Sequence, residues 1–323
     1  NTVSFMLDEG ISTSIANLTK LDDPRILKLC AKMFNYLTRF VPAMERMAEH
    51  TSLTYSAMTT LLDSDDDDTK MIGGRTIANL ILCKNDTVSS VLIEGGAFES
   101  LQKGCQVVDL SASKQCIAGM FASCKSSTFL KKMGQLGVVN TLMAVASQGR
   151  HQEEEVYVYI SKITAMIALD IESRPCLRNV TTIKPLFAFI QQNISVECGK
   201  YLAIAMQHVC NGYDDHSAFM GHGAFDAICK LHELGDESGV ISASAAETLR
   251  LIVHGSDPEP YLLDFCRPQI VDVLKCALQQ ANANNDQYAA YNVAVILLEL
   301  AKAGNQTRLE IATPAVVEVL DLL

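Results

Sequence analysis

The chain has 323 residues, a formal charge of −11 and a pI near 5.1, with 26 Lys and Arg against 37 Asp and Glu. So acidic a chain lacks the cationic surface from which nucleic-acid binding draws its affinity, and no stretch reaches the roughly 18 uninterrupted apolar residues of a membrane span. Apolar residues make up 49%, aromatics only 6%, and Trp is absent, which suits helices packed on helices better than a sheet of aromatic and β-branched strands.

Eleven cysteines fall at irregular spacing, many inside apolar runs such as Ile81-Leu82-Cys83 and His208-Val209-Cys210. There they read as small buried hydrophobes in a reducing compartment, the cytoplasm first and the nucleus second, and not as a disulfide framework. No signal peptide is visible, the first residue is Asn1, and the last residues form the apolar run Val316–Leu323. The expectation is a piece of a longer protein with no membrane insertion.

Taken in order, the chain repeats one sentence. An apolar anchor follows a turn at Ile15, Leu61, Leu101, Leu142, Leu186, Ile228, Leu274 and Leu320, with spacings of 46, 40, 41, 44, 42, 46 and 46. The turn before it is glycine in Gly95-Gly96-Ala97-Phe98 and in Gly223-Ala224-Phe225, and proline opens the same stretch at Pro268 and Pro314. A longer amphipathic helix comes next in each repeat. Its stretches Gly74–Leu80, Lys114–Met120, Ile160–Met166, Ala203–Val209, Ala246–Ile252 and Ala294–Leu300 align on small and apolar residues at helical spacing. Polar, acidic loops precede these helices, as in Asp65–Asp68, Glu153–Glu155 and Asp236–Ser238, and Asp23-Pro24 reads as a helix cap with proline in the first turn.

A short helix, a second helix after a glycine turn and a long third helix after an acidic loop together resemble the armadillo repeat. The resemblance implies an all-α, right-handed armadillo-type solenoid of about seven repeats. They lie near 1–40, 41–84, 85–125, 126–170, 171–212, 213–256 and 257–303, with a partial repeat at 304–323, in one array over residues 1–323. Two-helix HEAT repeats are the near alternative, and the glycine turn between a short and a longer helix argues against them.

Little in the chain carries chemistry. No phosphate-binding glycine loop and no Cys-x-x-Cys pair occurs. The spacing of His208, Cys210, His216, His222, Cys229 and His232 fits no zinc module, and the contiguous Asp65–Asp68 run lacks the alternating carboxylates of a calcium loop. No catalytic residue, metal or cofactor is expected, and a small-molecule ligand suits an open solenoid poorly.

The resemblance also implies that the third helices line a concave groove. In the importin-alpha type these helices carry a ladder of Asn with Trp one turn earlier. The aligned positions here are Asn79, Gly119, Ala165, His208, Leu251 and Glu299, preceded by Arg75, Gln115, Ser161, Ile204, Glu247 and Val295, so the regular clamp is missing and a nuclear-transport role is disfavoured. In this alignment Arg75 and Arg250 stand isolated, without the row of cations of a beta-catenin-type groove. The candidate contacts are Arg75, Asn79, Gln115, His208, Glu247, Arg250 and Glu299. The expected function is a non-catalytic scaffold for other proteins, with basic segments favoured by charge, either in its groove or as a structural part of a cytoskeletal or ciliary assembly. A chaperone or adaptor for a motor or cytoskeletal client is the alternative.

Overall fold

Two kinds of start signal set the helices of this protein. The computed structural model describes residues 10–81, 94, 96–107, 109–125, 127–149, 151, 153–212, 216–254, 259–302 and 314–322. They form α-helices and three short 3-10 segments, with no strand among the described residues. The chain divides into two compact units, residues 1–163 and 164–323. Cys83, the first helix expected within 85–93, and the opening of the partial repeat at 304–313 lie outside the described residues.

The N-terminal unit holds α1 Ile11–Leu18, α2 Pro24–Leu37, α3 Val41–Glu49, α4 Thr51–Asp63, α5 Asp67–Ile81, α6 Ala97–Cys105, α7 Leu110–Ala122, α8 Ser127–Gln135, α9 Val138–Ser147 and the first part of α10 Glu154–Leu169. The C-terminal unit holds the rest of α10, then α11 Val180–Ile190, α12 Val196–Cys210, α13 Ser217–Gly221, α14 Ala224–His232, α15 Val240–Val253, α16 Pro268–Asn284, α17 Gln287–Lys302 and α18 Pro314–Leu322.

The first start signal is a left-handed glycine. Gly10, Gly96, Gly137 and Gly223 sit at φ of 71°, 109°, 64° and 97°, immediately before the second helices α1, α6, α9 and α14. Only glycine takes this conformation without a Cβ penalty, so it fixes the sharp turn into each of these second helices. The anchors Ile15, Leu101, Leu142 and Ile228 are fully buried in these helices, and Leu61, Leu186 and Leu274 are fully buried in the second helices α4, α11 and α16, which start without glycine. The eighth anchor is corrected: Leu320 is 51% exposed and its neighbour Val319 is buried. Each residue turns a helix by about 100°, so a slip of one position carries the expected side chain out of the core.

The second start signal is the acidic loop. Asp23 accepts from the backbone N–H of Arg25 at 2.8 Å, Asp66 from Thr69 at 2.9 Å, Asp109 from Ala112 at 2.6 Å and Asp286 from Ala289 at 3.1 Å. Ser195 does the same for Cys198 at 3.4 Å, and Asp236 for Ile241 at 3.0 Å. These caps satisfy amide groups that a helix start leaves unpaired. The acidic loops are therefore the starts of the third helices α2, α5, α7, α12, α15 and α17.

The caps also set a register. Thr69, Gly73, Gly74, Thr76, Ile77, Leu80 and Ile81 are buried around α5, and Ala112, Cys116, Ile117, Gly119, Met120, Ser123 and Cys124 repeat that pattern around α7, each 43 residues on. The spacing equals that between Asp66 and Asp109. This corrects the alignment on small residues, which set Lys114 against Gly74: Ile117 is the true equivalent, three residues later. Small residues occur on two faces of α7, so they could not choose between the alternatives. Their purpose is close approach. A Cβ on Gly119 would lie 2.6 Å from Cβ of Ala78, and a Cβ on Gly104 would lie 2.4 Å from Sγ of Cys116.

In the C-terminal unit two first helices are reduced to 3-10 segments, Arg174–Leu177 and Glu259–Cys266, each containing a proline. The buried Arg174 donates to the carbonyl oxygens of Ala168, Leu169 and Asn211, and Arg178 donates to those of Val209 and Asn211. The two guanidinium groups thus satisfy carbonyls that helix ends leave open. Six of the ten cysteines in the described residues are buried, and burial pushes Cys116 and Cys124 up to about 12, so these thiols stay protonated.

Candidate protein-binding face

Counting from the helix starts brings equivalent positions of the third helices into register, most of them exposed or half-buried, with Val295 buried. The ninth residue after Asp23, Asp66, Asp109 and Glu153 is Lys32, Arg75, Ala118 and Lys162; the thirteenth is Tyr36, Asn79, Ala122 and Met166. In the C-terminal unit, the positions that match these by burial pattern are Ile204, Glu247 and Val295, and, four residues on, His208, Leu251 and Glu299. Gly119 and Ala165 thus yield to Ala122 and Met166 in the ladder, and Gln115 and Ser161 yield to Ala118 and Lys162. Glycine at 119 is a close-packing residue in the core, not a surface position.

The seven expected contacts fare differently. Arg75 is exposed on α5 and has no carboxylate partner among the described residues. Asn79 donates through its amide to Oγ1 of Thr38 at 3.1 Å and Oδ1 of Asn35 at 3.4 Å, so it ties α5 to α2. Gln115 is half-buried, six residues after its cap. Glu299 is half-buried and pairs with Lys302 at 2.6 Å.

The other three meet in the C-terminal unit, where α12 packs on α15 and α15 on α17. Glu247 accepts from Nε2 of Gln207 on α12 at 2.6 Å and from the hydroxyl of Tyr288 on α17 at 2.8 Å. Arg250 lies 3.9 Å from Glu247, and its Nε is buried without a hydrogen-bond partner. His208 Nδ1 is likewise buried and unpartnered. Burial, and secondarily the charge of Arg174, hold its pKa below the usual histidine value, while Glu247 pulls the other way. His208 is therefore neutral at neutral pH. Asn292 of α17 is 1% exposed and leaves Oδ1 unpaired. All three atoms are buried beneath the face and are not offered at its surface.

Sequence reasoning missed Lys32, Lys162, Gln207 and Tyr288 as members of these faces. Counting from the acidic caps, in place of aligning small residues, would have found the first two. It also missed the aromatic pair Phe121 and Tyr159, which stack between α7 and α10 with ring centroids 5.1 Å apart.

A separate recess of about 380 Å³ lies among Gln191, Asp226, Cys229, Lys230, Glu233, Arg267 and Gln269, away from the third helices. Its charges pair internally, Arg267 with Asp226 at 2.8 Å and Lys230 with Glu233 at 3.1 Å, which leaves no charge there for a ligand. Among the described residues no three His, Cys, Asp or Glu side chains group as metal ligands, and no helix is long and apolar enough to cross a membrane.

No family model and no curated protein matches this sequence. Solved structures do. The chain is similar to an engineered protein from a structural-genomics consortium, at 18% identity and a TM-score of 0.63, covering 98% of this chain and 73% of that one. It is similar to computationally designed armadillo repeat proteins for modular peptide recognition, at 20% identity and a TM-score of 0.58, covering 75% of this chain and 98% of that one. A designed armadillo repeat protein in complex with the peptide (KR)4 matches at 18% identity and a TM-score of 0.55, covering 75% and 97%. The fold is thus an all-α solenoid of the armadillo-repeat type, as the glycine turns and capped third helices indicate.

Proposed function

We propose that the chain is a non-catalytic scaffold that holds partner proteins on the exposed faces of its third helices, with its repeats forming one array. The observation that carries this reading is the group around Glu247, Arg250 and His208. It places charged and hydrogen-bonding side chains on the third helices of the C-terminal unit, with Glu247 joining Gln207 of α12 to Tyr288 of α17, and no three metal-ligating side chains group among the described residues. Such a surface recognises groups on another protein better than it transforms a small molecule. The peptide-bound designed relative uses the same fold, which supports a peptide or protein ligand.

The face is chemically mixed from repeat to repeat, so binding energy concentrates in a few local contacts. The C-terminal unit holds 10 Lys and Arg against 19 Asp and Glu, which favours basic segments there. The finer reading is a structural part of a large cytoplasmic assembly, cytoskeletal or ciliary, supported by the absence of a repeating clamp suited to one transient ligand. The test is to replace Arg75, His208 and Glu299 together and co-purify partners from the source cell. The triple variant should stay folded and lose its partner. A folded variant that retains the partner with unchanged affinity moves the site off the third helices.

A further inference from the structure

The two units carry different charge, and the difference is organised. Residues 1–163 hold 16 Lys and Arg against 18 Asp and Glu, whereas residues 164–323 hold 10 against 19. In the N-terminal unit the cations fall into rows on the third helices. Five residues after their caps stand Lys28 of α2 and Lys114 of α7. These are matched from within: Lys28 pairs with Asp66 at 3.4 Å and Asp68 at 2.8 Å, and Lys114 pairs with Glu153 and, at 2.6 Å, with Glu155. Asp66, Asp68, Glu153 and Glu155 of the acidic loops are thereby paired within the fold.

Nine residues after the caps stand Lys32 of α2, Arg75 of α5 and Lys162 of α10, and this second row is different. Lys32 and Arg75 are exposed and have no carboxylate partner among the described residues. Lys162 lies with its Nζ 5.8 Å from the centre of the Phe121 ring, which stacks in turn on Tyr159. Ala118 of α7 fills the ninth place between Arg75 and Lys162, a small residue that leaves the row open. So the face combines two unmatched cations, a third cation over an aromatic ring and a gap. The sequence alignment hid this row because it set Gln115 and Ser161 where Ala118 and Lys162 belong.

We propose that this face of residues 1–163 binds an acidic, extended segment of a partner protein, its carboxylates on Lys32, Arg75 and Lys162 and an apolar side chain on Phe121. The proposal rests on the reading that third helices carry the partner, and it assigns this unit a ligand opposite in charge to the one favoured at residues 164–323. Packed helices lie about 8–10 Å apart, and an extended chain advances about 3.3 Å per residue. Carboxylates about three residues apart therefore meet Lys32 of α2 and Arg75 of α5, and Lys162 of α10 lies beyond the gap at Ala118. Arg75 can bind a carboxylate through two parallel N–H groups, and a basic segment laid on the same row meets the like charge of Lys32 and Arg75. A nucleic acid also carries negative charge, but the chain's net charge of −11 repels phosphate.

The test is fluorescence anisotropy on the whole chain with two labelled probes, an alternating Asp-Glu peptide and an alternating Lys-Arg peptide. Two triple variants are compared, Lys32→Ala with Arg75→Ala and Lys162→Ala, and Lys103→Ala with Lys131→Ala and Lys132→Ala. The second removes the same charge from first and second helices of the same unit. Circular dichroism checks that both fold. The expected result is that the Asp-Glu peptide binds and that only the first variant loses affinity, by roughly tenfold. Equal losses in both variants, or none in the first, overturn the assigned site. Binding of the Lys-Arg peptide that competes at this face overturns the charge assignment and leaves the scaffold reading standing. Failure of both peptides to bind overturns the two together. A single-stranded oligonucleotide that displaces the Asp-Glu peptide at equal concentration overturns the choice of a protein segment.

Discussion

Gly119 has no room for a side chain. A Cβ there would meet Ala78 at 2.6 Å to its Cβ and 3.1 Å to its Cα, and the second of these is backbone that cannot rotate away. Gly119→Ala should therefore destabilise the protein by about 1–3 kcal/mol of overpacking, against about 1 kcal/mol that alanine returns in helix propensity. Urea unfolding reads the net effect, and a variant more stable than the parent would show that α5 and α7 are not in close contact. His208 gives a pH prediction. Its folded pKa is held below the ordinary value of 6.5, by burial first and Arg174 second, so the unfolded chain binds the proton more tightly. Its contribution to stability is complete above about pH 6.5 and is lost as pH falls from there toward the folded value. His208→Gln should lose less stability than the parent between about pH 7.5 and 5.5 in paired urea melts. A parent that loses no more than the variant would place the imidazole in water.

At the scale of the element, the second helices were legible in the sequence and the third helices were legible only in kind. Leu101, Leu142 and Leu186 each follow a turn that glycine, or Asn179 with its side-chain cap, makes unambiguous, and all three are fully buried. Leu142→Ala should cost about 2–5 kcal/mol in denaturant unfolding, because it leaves a cavity in a filled core. The last anchor was misplaced by one residue, since Val319 and Leu320 are both apolar and α18 opens with proline in place of glycine. Val319→Ala should accordingly destabilise and Leu320→Ala should not, in the same measurement. The third helices were misaligned at Lys114 and Ile160 because glycine, alanine and serine recur on more than one face of α7 and α10. What marks their register is a backbone N–H donating to an acidic side chain, as Thr69 does to Asp66 and Ala112 to Asp109 once these are read as caps. Asp109→Ala should cost about 1 kcal/mol, the loss of one cap, by the same unfolding assay. Bonds between helices, such as Asn79 to Thr38 or Glu247 to Tyr288, join residues 41 positions apart and leave no mark in local patterning.

At the scale of the whole molecule, the charge of −11 is an average over two differently charged units. Read as one number it favours a basic partner; read by unit and by register it is the basis for proposing a different ligand charge for each unit. Association with a charged segment should slow as salt rises, because the Debye length falls from about 10 Å at 0.1 M to about 3 Å at 1 M. The measurement closest to the claim that third helices carry the partner is site-specific photo-crosslinking in the source cell. A photoreactive residue is placed at positions 75 and 247, on third helices, and at positions 103 and 275, on second helices. A specific partner adduct should form from 75 or 247 and be absent from 103 and 275. Adducts from 103 and 275 with none from 75 and 247 would contradict the claim and move the binding surface to the second helices.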